Sequence, residues 1–202
     1  MSVVLGVDPS LTVSGCALVR FGSGEGAAEP LWETWRARAS KPEHESVETI
    51  RRRIRVMLRE ILAFVPARLS LSVVEGPAMA ARYTPLADER AGLRWMLIDQ
   101  LVARGPVVLV TPNSRQSLAY GEPIRRGTTP AKRKALVTGA VRAMVPAAHV
   151  PDHNVADAVA LAAAGAHRLG LLMPYSAKQE RSHANVAWAV GGERLLAGME
   201  KG

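Results

Sequence analysis

Three carboxylates occupy positions where an acidic side chain is costly to bury. Asp8 and Glu75 each follow a short apolar run that is typical of a buried strand, so both are predicted at the rim of a sheet. Asp157 lies in the apolar stretch 155–161, with no lysine or arginine within one helical turn. Because an unpaired buried charge is unfavourable, each carboxylate is expected to need a cation from elsewhere in the fold.

Together, the three acids are candidate ligands of a divalent metal site. Carboxylate oxygens suit Mg²⁺, and Mn²⁺ is the second candidate. Asn154 and His153 precede Asp157 by three and four residues on the same helical face, so either could ligate the metal or orient a ligand. The alternatives are separate roles: a turn aspartate for Asp8, a lone salt bridge for Glu75 and a solvated helical aspartate for Asp157.

Positive charge is concentrated in one segment. The 202 residues include 26 lysines and arginines against 18 acids, a net charge of +8. Segment 115–142 has a net charge of +6, with Glu122 as its only acid. Its basic residues are Arg115, Arg125, Arg126, Lys132, Arg133, Lys134 and Arg142. This imbalance predicts an anionic partner, whereas the arginines of 51–59 are offset by nearby acids and are interpreted as a solvated helix face.

Composition excludes several classes of protein. A hydrophobic content of 48% is too high for a disordered chain. The single cysteine, Cys16, excludes an internal disulfide and a cysteine zinc cluster. No apolar run approaches the ~20 residues of a membrane span. With no signal-peptide pattern at Met1–Asp8, we expect a cytoplasmic, reducing location.

Periodicity predicts the elements that position these residues. Strands are expected at 3–7, 14–21, 31–39, 69–74 and 107–110, and helices at 46–65, 86–103, 131–145 and 155–169, with a short helix after Pro112. This order predicts an α/β fold: a mixed five-stranded sheet that begins with an antiparallel meander of three strands, continues with alternating α and β units, and has helices on both faces. Residues 1–170 are expected to form the domain, and 171–202 a tail or accessory helix.

Five motifs, taken in order, resemble the RuvC-like Holliday junction resolvases of the ribonuclease H-like superfamily. They are Leu5-Gly6-Val7-Asp8-Pro9-Ser10 with Gly15, Val73-Val74-Glu75-Gly76-Pro77, Pro112-Asn113-Ser114-Arg115, Ala131-Lys132, and His153-Asn154-Val155-Ala156-Asp157-Ala158. The resemblance covers roughly residues 3–169, and it implies the ribonuclease H-like fold that the element order predicts independently.

The resemblance implies a Mg²⁺-dependent endonuclease that resolves four-way DNA junctions as a homodimer. Asp8 would bridge two metal ions, Glu75 and Asp157 would each bind one, and Asn154 or His153 would complete the set. Arg115 and Lys132 would neutralise phosphate charge, while Arg125, Arg126, Arg133 and Lys134 would follow the DNA backbone. The helix at 86–103, with Trp95, Met96 and Leu97, is a candidate dimer face, although the pattern slightly favours the alternative that these residues belong to the core.

Two departures from the family pattern are visible. The family usually has a carboxylate, or sometimes His, where Asn154 stands. Its relatives often carry an aromatic wedge after the second acid, where this chain has Ala78 or Met79, with Tyr83 as the nearest aromatic residue.

Three other functions fit parts of the pattern. A phosphotransferase of the actin and sugar-kinase type shares the first strand and turn, but it needs two such domains. A ribonuclease H-like RNA-processing nuclease would use the same chemistry on another substrate. A non-catalytic junction-binding protein would have lost metal binding through Asn154.

Overall fold

The computed structural model describes residues 1–22, 29–41, 43–44, 46–77, 86–171 and 173–186. Its strands are β1 (Ser2–Asp8), β2 (Val13–Phe21), β3 (Leu31–Arg38), β4 (Leu71–Glu75) and β5 (Val107–Val110). Its helices are α1 (Val47–Leu62), α2 (Ala87–Val102), α3 (Pro112–Tyr120), α4 (Pro130–Met144), α5 (His153–Arg168) and α6 (Ala177–Ala184). The predicted order of strands and helices is confirmed, and α6 lies in the segment that was expected to be a tail or accessory helix.

The five strands form one mixed sheet in the order β3-β2-β1-β4-β5. The first three strands are antiparallel neighbours, whereas β4 runs parallel to β1 and to β5. Parallel neighbours end at the same edge, so the carboxyl ends of β1, β4 and β5 share one rim of the sheet. Asp8, Glu75 and the start of α3 therefore lie side by side.

Helices cover both faces of the sheet, as predicted. One core contains Leu5, Val7 and Leu18 of the sheet with the apolar sides of α1 and α2. The other contains Val4, Ala17, Val19 and Val73 with α3, α4 and α5. Successive strand residues face opposite sides, which is why continuous apolar runs supply both cores. Among the described residues, no helix is long and apolar enough to span a bilayer.

Helix α5 lies unusually close to the centre of the sheet because small residues line the contact. A Cβ on Gly6 would stand 2.1 Å from the Ala158 carbonyl oxygen, and one on Gly15 would stand 1.8 Å from that of Asn154. Neither distance is sterically possible, so these two strand positions need glycine. The close approach brings the start of α5 against Asp8, which pairs with Gly15 in the sheet.

Two details differ from the sequence predictions. Helix α5 begins at His153 rather than at residue 155, because Asp152 caps it by accepting a hydrogen bond from the Val155 amide at 3.0 Å. In the arginine run of α1, Arg53 is buried with only 8% exposure, so the interpretation as a solvated face is wrong for that residue. The neighbouring Arg51, Arg52, Arg55 and Arg59 are exposed.

Candidate active site

The site is built at the rim where β1 and β4 end. Val7 and Val74 are the last paired residues of these parallel strands, and Asp8 and Glu75 are the next residue on each. Both acids are thus held by backbone that is fixed in the sheet. Their two negative charges act on one another, since Asp8 contributes to raising the pKa of Glu75.

The third acid reaches this rim from α5 and meets an arginine from α3. Asp157 is only 8% exposed and Arg115 only 7%, so the alternative of a solvated helical aspartate is wrong. The Arg115 guanidinium donates through Nε to Glu75 Oε2 and through Nη1 to Asp157 Oδ1. It is the cation that the sequence around Asp157 lacks, and it links three elements that are far apart in the chain.

Local structure explains why Arg115 points at the carboxylates. Strand β5 ends at Val110, and Thr111 caps α3 by accepting a hydrogen bond from the Ser114 amide at 3.2 Å. Pro112 is favourable in the first helical turn because its missing N–H has no partner there anyway. The helix therefore starts directly at the rim, and Arg115 lies at the end of its first turn.

Electrostatics at this site favour the binding of a further cation. Burial and the nearby Asp8 charge raise the pKa of Glu75 to about 7, although Arg115 acts in the opposite direction. Burial also raises the pKa of Asp8, against the lowering effects of Arg115, His153 and Lys134. Carboxyl groups with raised pKa values are typical of functional sites, where a further positive charge stabilises the ionised form.

His153 and Lys134 form a pair at the edge of the site. Lys134 Nζ lies 2.9 Å from His153 Nε2, and since an ammonium group can only donate, the ring nitrogen is the acceptor. Burial and the Lys134 charge lower the pKa of His153, which favours the neutral form of the ring. Asn154 follows in the first turn of α5, half-buried, with its backbone carbonyl against Gly15.

Side chains of α1 and β2 hold the turn that follows Asp8 through hydrogen bonds. Arg53 on α1 donates through Nε to the Leu11 carbonyl oxygen at 2.8 Å and through Nη2 to Thr12 Oγ1 at 2.8 Å. The buried Ser14 hydroxyl accepts from the Ser10 amide at 2.8 Å and donates to the Ser10 carbonyl at 2.9 Å. These bonds hold the chain reversal that follows Asp8, so they fix where its carboxylate lies.

The donor set suits a divalent cation in its chemistry. Three carboxylates meet at one rim, with the Asn154 amide and the His153 imidazole at the start of the same helix as Asp157. Among the described residues, however, no three His, Cys, Asp or Glu side chains stand in a closed metal-binding arrangement. The guanidinium of Arg115 lies between Glu75 and Asp157 and supplies the positive charge there.

The predicted DNA-binding residues do not all lie at this rim. Lys134 is the residue of α4 whose charge acts on Asp8. Lys132 and Arg125 are exposed. Arg126 and Arg133 line an open cleft on the other side of α3. The expected wedge positions, 78, 79 and 83, lie outside the described residues.

Sequence reasoning missed two residues that shape the site. Arg53 was grouped with its exposed neighbours, although its position three residues after Ile50 and four before Met57 places it near the apolar stripe. Gly15 belongs to the first motif, but its contact with the Asn154 carbonyl carries no sequence signal. Only the tight approach of α5 reveals its function.

Comparisons with known proteins agree with this architecture. No protein-family model matches the chain, and no curated protein matches it in sequence. Among solved structures, it is similar to Thermus thermophilus RuvC, with 23% identity and a TM-score of 0.54, over 86% of this chain and 99% of that one. T. thermophilus RuvC in complex with Holliday junction substrate matches with 21% identity, a TM-score of 0.55 and the same coverage, 86% and 99%.

A viral structure gives the same result at lower identity. The fowlpox virus resolvase, in a complex with its substrate Holliday junction DNA, matches with 10% identity and a TM-score of 0.50, over 83% of this chain and 98% of that one. These structures confirm the mixed five-stranded sheet and the resemblance that the sequence motifs indicated. The chain has the fold of these resolvase structures.

Proposed function

We propose that this protein is a Mg²⁺-dependent endonuclease that resolves four-way DNA junctions by hydrolysing phosphodiesters. The observation that carries the proposal is the meeting of Asp8, Glu75 and Asp157 around Arg115 at one rim of a RuvC-like fold. Two of the similar structures are complexes with Holliday junction DNA. Their substrate is the best guide to the substrate of a chain with this fold and these acids.

The carboxylates would hold the metal. Asp8, Glu75 and Asp157 would bind two Mg²⁺ ions, and the Asn154 carbonyl oxygen or the neutral His153 ring would complete the set. Bound divalent ions in such sites lower the pKa of the attacking water and stabilise charge on the phosphate and leaving oxygen. Mn²⁺ is expected to substitute because it accepts the same oxygen ligands.

The chain's own cations would position the DNA. Arg115 pairs with Glu75 and Asp157 at the rim, and from there its guanidinium would also donate to the scissile phosphate. Guanidinium groups suit this task because their planar donors match two phosphate oxygens. Lys134, beside His153, would hold the same strand from α4, and Arg125, Arg126, Lys132 and Arg133 would follow the backbone.

A homodimer matches the symmetry of the substrate. A four-way junction has two equivalent cleavage points, and a dimer with twofold symmetry presents two sites in the same relation. Helix α2 exposes Trp95 by 58% and Met96 by 41%, whereas Leu97 is fully buried in the core. The exposed pair is the best candidate for the dimer face, since large apolar side chains on a surface are typical of interfaces.

The test is cleavage of a panel of labelled nucleic acids by the full chain. A four-way junction, a duplex, a flap and an RNA hairpin would each be incubated with Mg²⁺ and with EDTA. Selective, Mg²⁺-dependent cutting of the junction at symmetric positions is expected. Preferred cutting of the RNA would instead favour an RNA-processing nuclease, and tight junction binding without cutting would favour a non-catalytic binding protein.

A further inference from the structure

A second site lies on the opposite side of α3 from the carboxylates. It is an open cleft of about 780 Å³ between α3, the loop after it, the start of α4 and α6. Its charged lining consists of Arg126, Arg133, Lys178, Arg181 and Glu122. None of the metal-site carboxylates lines this cleft, and α6 belongs to the C-terminal segment that the predicted domain left out.

The cleft carries positive charge that the protein does not neutralise. Lys178 pairs with Glu122 at 3.1 Å, which removes one charge of each sign. The side chains of Arg126, Arg133 and Arg181 have no hydrogen-bond or ion-pair partner among the described residues. Arg133 Nε is also buried, and no described residue accepts a hydrogen bond from it. A buried donor without a partner is costly, so an anion that accepts from it would stabilise the site.

Helix α6 is a fixed wall of the cleft. The buried Gln179 side chain donates to the Ala119 carbonyl oxygen at 3.0 Å, and the Ser182 hydroxyl donates to the Gly121 carbonyl oxygen at 2.8 Å. Gly121 has a positive φ of 89° at the end of α3, and a Cβ there would stand 3.0 Å from Lys178 Cβ. These contacts hold Arg181 opposite Arg126 and Arg133 rather than leaving it on a free tail.

The first turn of α4 connects the cleft with the carboxylate site. Arg133 lines the cleft, and the next residue, Lys134, lies against His153 at the carboxylates. On α3, Arg115 faces the carboxylates while Asn113 and Gln116 line the cleft. A negatively charged chain that leaves the carboxylate site along α4 would reach the three unpaired guanidinium groups directly.

We propose that this cleft binds the phosphodiester backbone of the DNA substrate at a point beyond the cleavage site, and that α6 completes it. The inference rests on the proposed nuclease function and adds a contact that the carboxylate site does not require. A nucleic acid fits better than a small anion, because the cleft is open and Lys134, the residue after Arg133, lies against His153 at the carboxylate site. Arginine is the side chain that best suits repeated phosphate contacts.

Arg181 provides the sharpest test because its side chain is exposed and makes no hydrogen bond or ion pair with the described residues. Junction binding would be measured by fluorescence anisotropy in EDTA between 50 and 200 mM salt. Removing one cation that neutralises a phosphate lowers the salt slope by about 0.9 and the affinity at 0.1 M salt by about eightfold. We expect these changes for Arg181→Ala, and near wild-type binding for Arg181→Lys, which keeps the charge.

Arg55→Ala is the matched control, because Arg55 is also exposed but lies on α1, across the sheet. An unchanged salt slope in Arg181→Ala, or an equal decrease in Arg55→Ala, would overturn the proposal. A polyglutamate peptide that binds the wild type but not Arg181→Ala, with DNA binding unaffected, would also overturn it and indicate an acidic protein partner.

The two proposals fail in different ways. If the wild type neither binds nor cuts any nucleic acid, the proposed nuclease function is wrong. If the wild type cuts junctions with Mg²⁺ while Arg181→Ala keeps the wild-type salt slope, only the cleft assignment is wrong.

Discussion

The raised pKa of Glu75 predicts a pH-dependent stability that one substitution removes. The pKa rises from 4.5 to about 7 on folding, because burial and the Asp8 charge disfavour the ionised form. Between these values the folded chain binds more protons at this residue than the unfolded chain. The free energy of unfolding therefore falls as pH rises through this window.

The size of the effect follows from proton linkage. A group that shifts from 4.5 to about 7 lowers the free energy of unfolding by about 2–3 kcal/mol between pH 5 and pH 8, since one pKa unit is worth about 1.4 kcal/mol. The side chain is 16% exposed, so solvent screens the effect little. Glu75→Gln removes the titrating group but keeps the side-chain length, and a neutral amide has no such pH dependence.

The assay is urea unfolding of both proteins in EDTA at pH 5, 6, 7 and 8, followed by circular dichroism. We expect Glu75→Gln to gain about 2–3 kcal/mol relative to the wild type between pH 5 and pH 8. Titrating groups that do not interact with Glu75 cancel in this difference. Glu122→Gln, in an exposed salt bridge, is the control and should show no such trend. A constant difference between Glu75→Gln and wild type across the pH range would refute the reasoning.

Three further predictions concern the site and its support. Asp8→Asn should abolish Mg²⁺-dependent junction cleavage, because a required carboxylate is removed, while junction binding in EDTA stays near wild type. Arg125→Ala with Arg126→Ala should lower the salt slope of DNA binding by about 1 for each phosphate that is no longer neutralised. Gly15→Ala should lower the free energy of unfolding by about 1–3 kcal/mol and impair cleavage, since its Cβ would stand 1.8 Å from the Asn154 carbonyl oxygen.

For each of these variants, one outcome would contradict the prediction. Wild-type cleavage rates in Asp8→Asn would remove that carboxylate from the site, and an unchanged salt slope in the double arginine variant would exclude the loop as a DNA contact. For the glycine, Gly139→Ala is the control, because its added Cβ would meet no atom within 4 Å from the other described parts of the chain, and the helix should be slightly stabilised. If Gly15→Ala were as stable and active as Gly139→Ala, the tight approach of α5 would not matter for the site.

The local sequence is sufficient to predict the carboxylate positions on the strands. Apolar runs that stop at Asp8 and Glu75 define where β1 and β4 end, because burial requires a continuous apolar strand between two helical layers. Parallel pairing then places both acids at one rim. The order of strands and helices follows from the same local periodicity.

The partners of these acids were decided by the tertiary structure. Arg115 is separated from Glu75 by 40 residues and from Asp157 by 42, so no local pattern could show that one guanidinium would bind both. The buried position of Arg53 likewise depends on a turn whose Leu11 and Thr12 lie 42 and 41 residues away along the chain. Long-range contacts of this kind depend on how layers pack, which hydrophobic periodicity does not specify.

The sequence by itself thus determined the fold class, the strand-end carboxylates and the concentration of positive charge between residues 115 and 142. Only the tertiary structure places these basic residues on two sides of α3. Arg115 contacts the carboxylates, whereas Arg133 lines a separate cleft that residues of α6 also line. The physical reason is that a helix presents residues to opposite sides within one turn. Neighbours in a basic segment can therefore serve different sites once the helix is packed against the sheet.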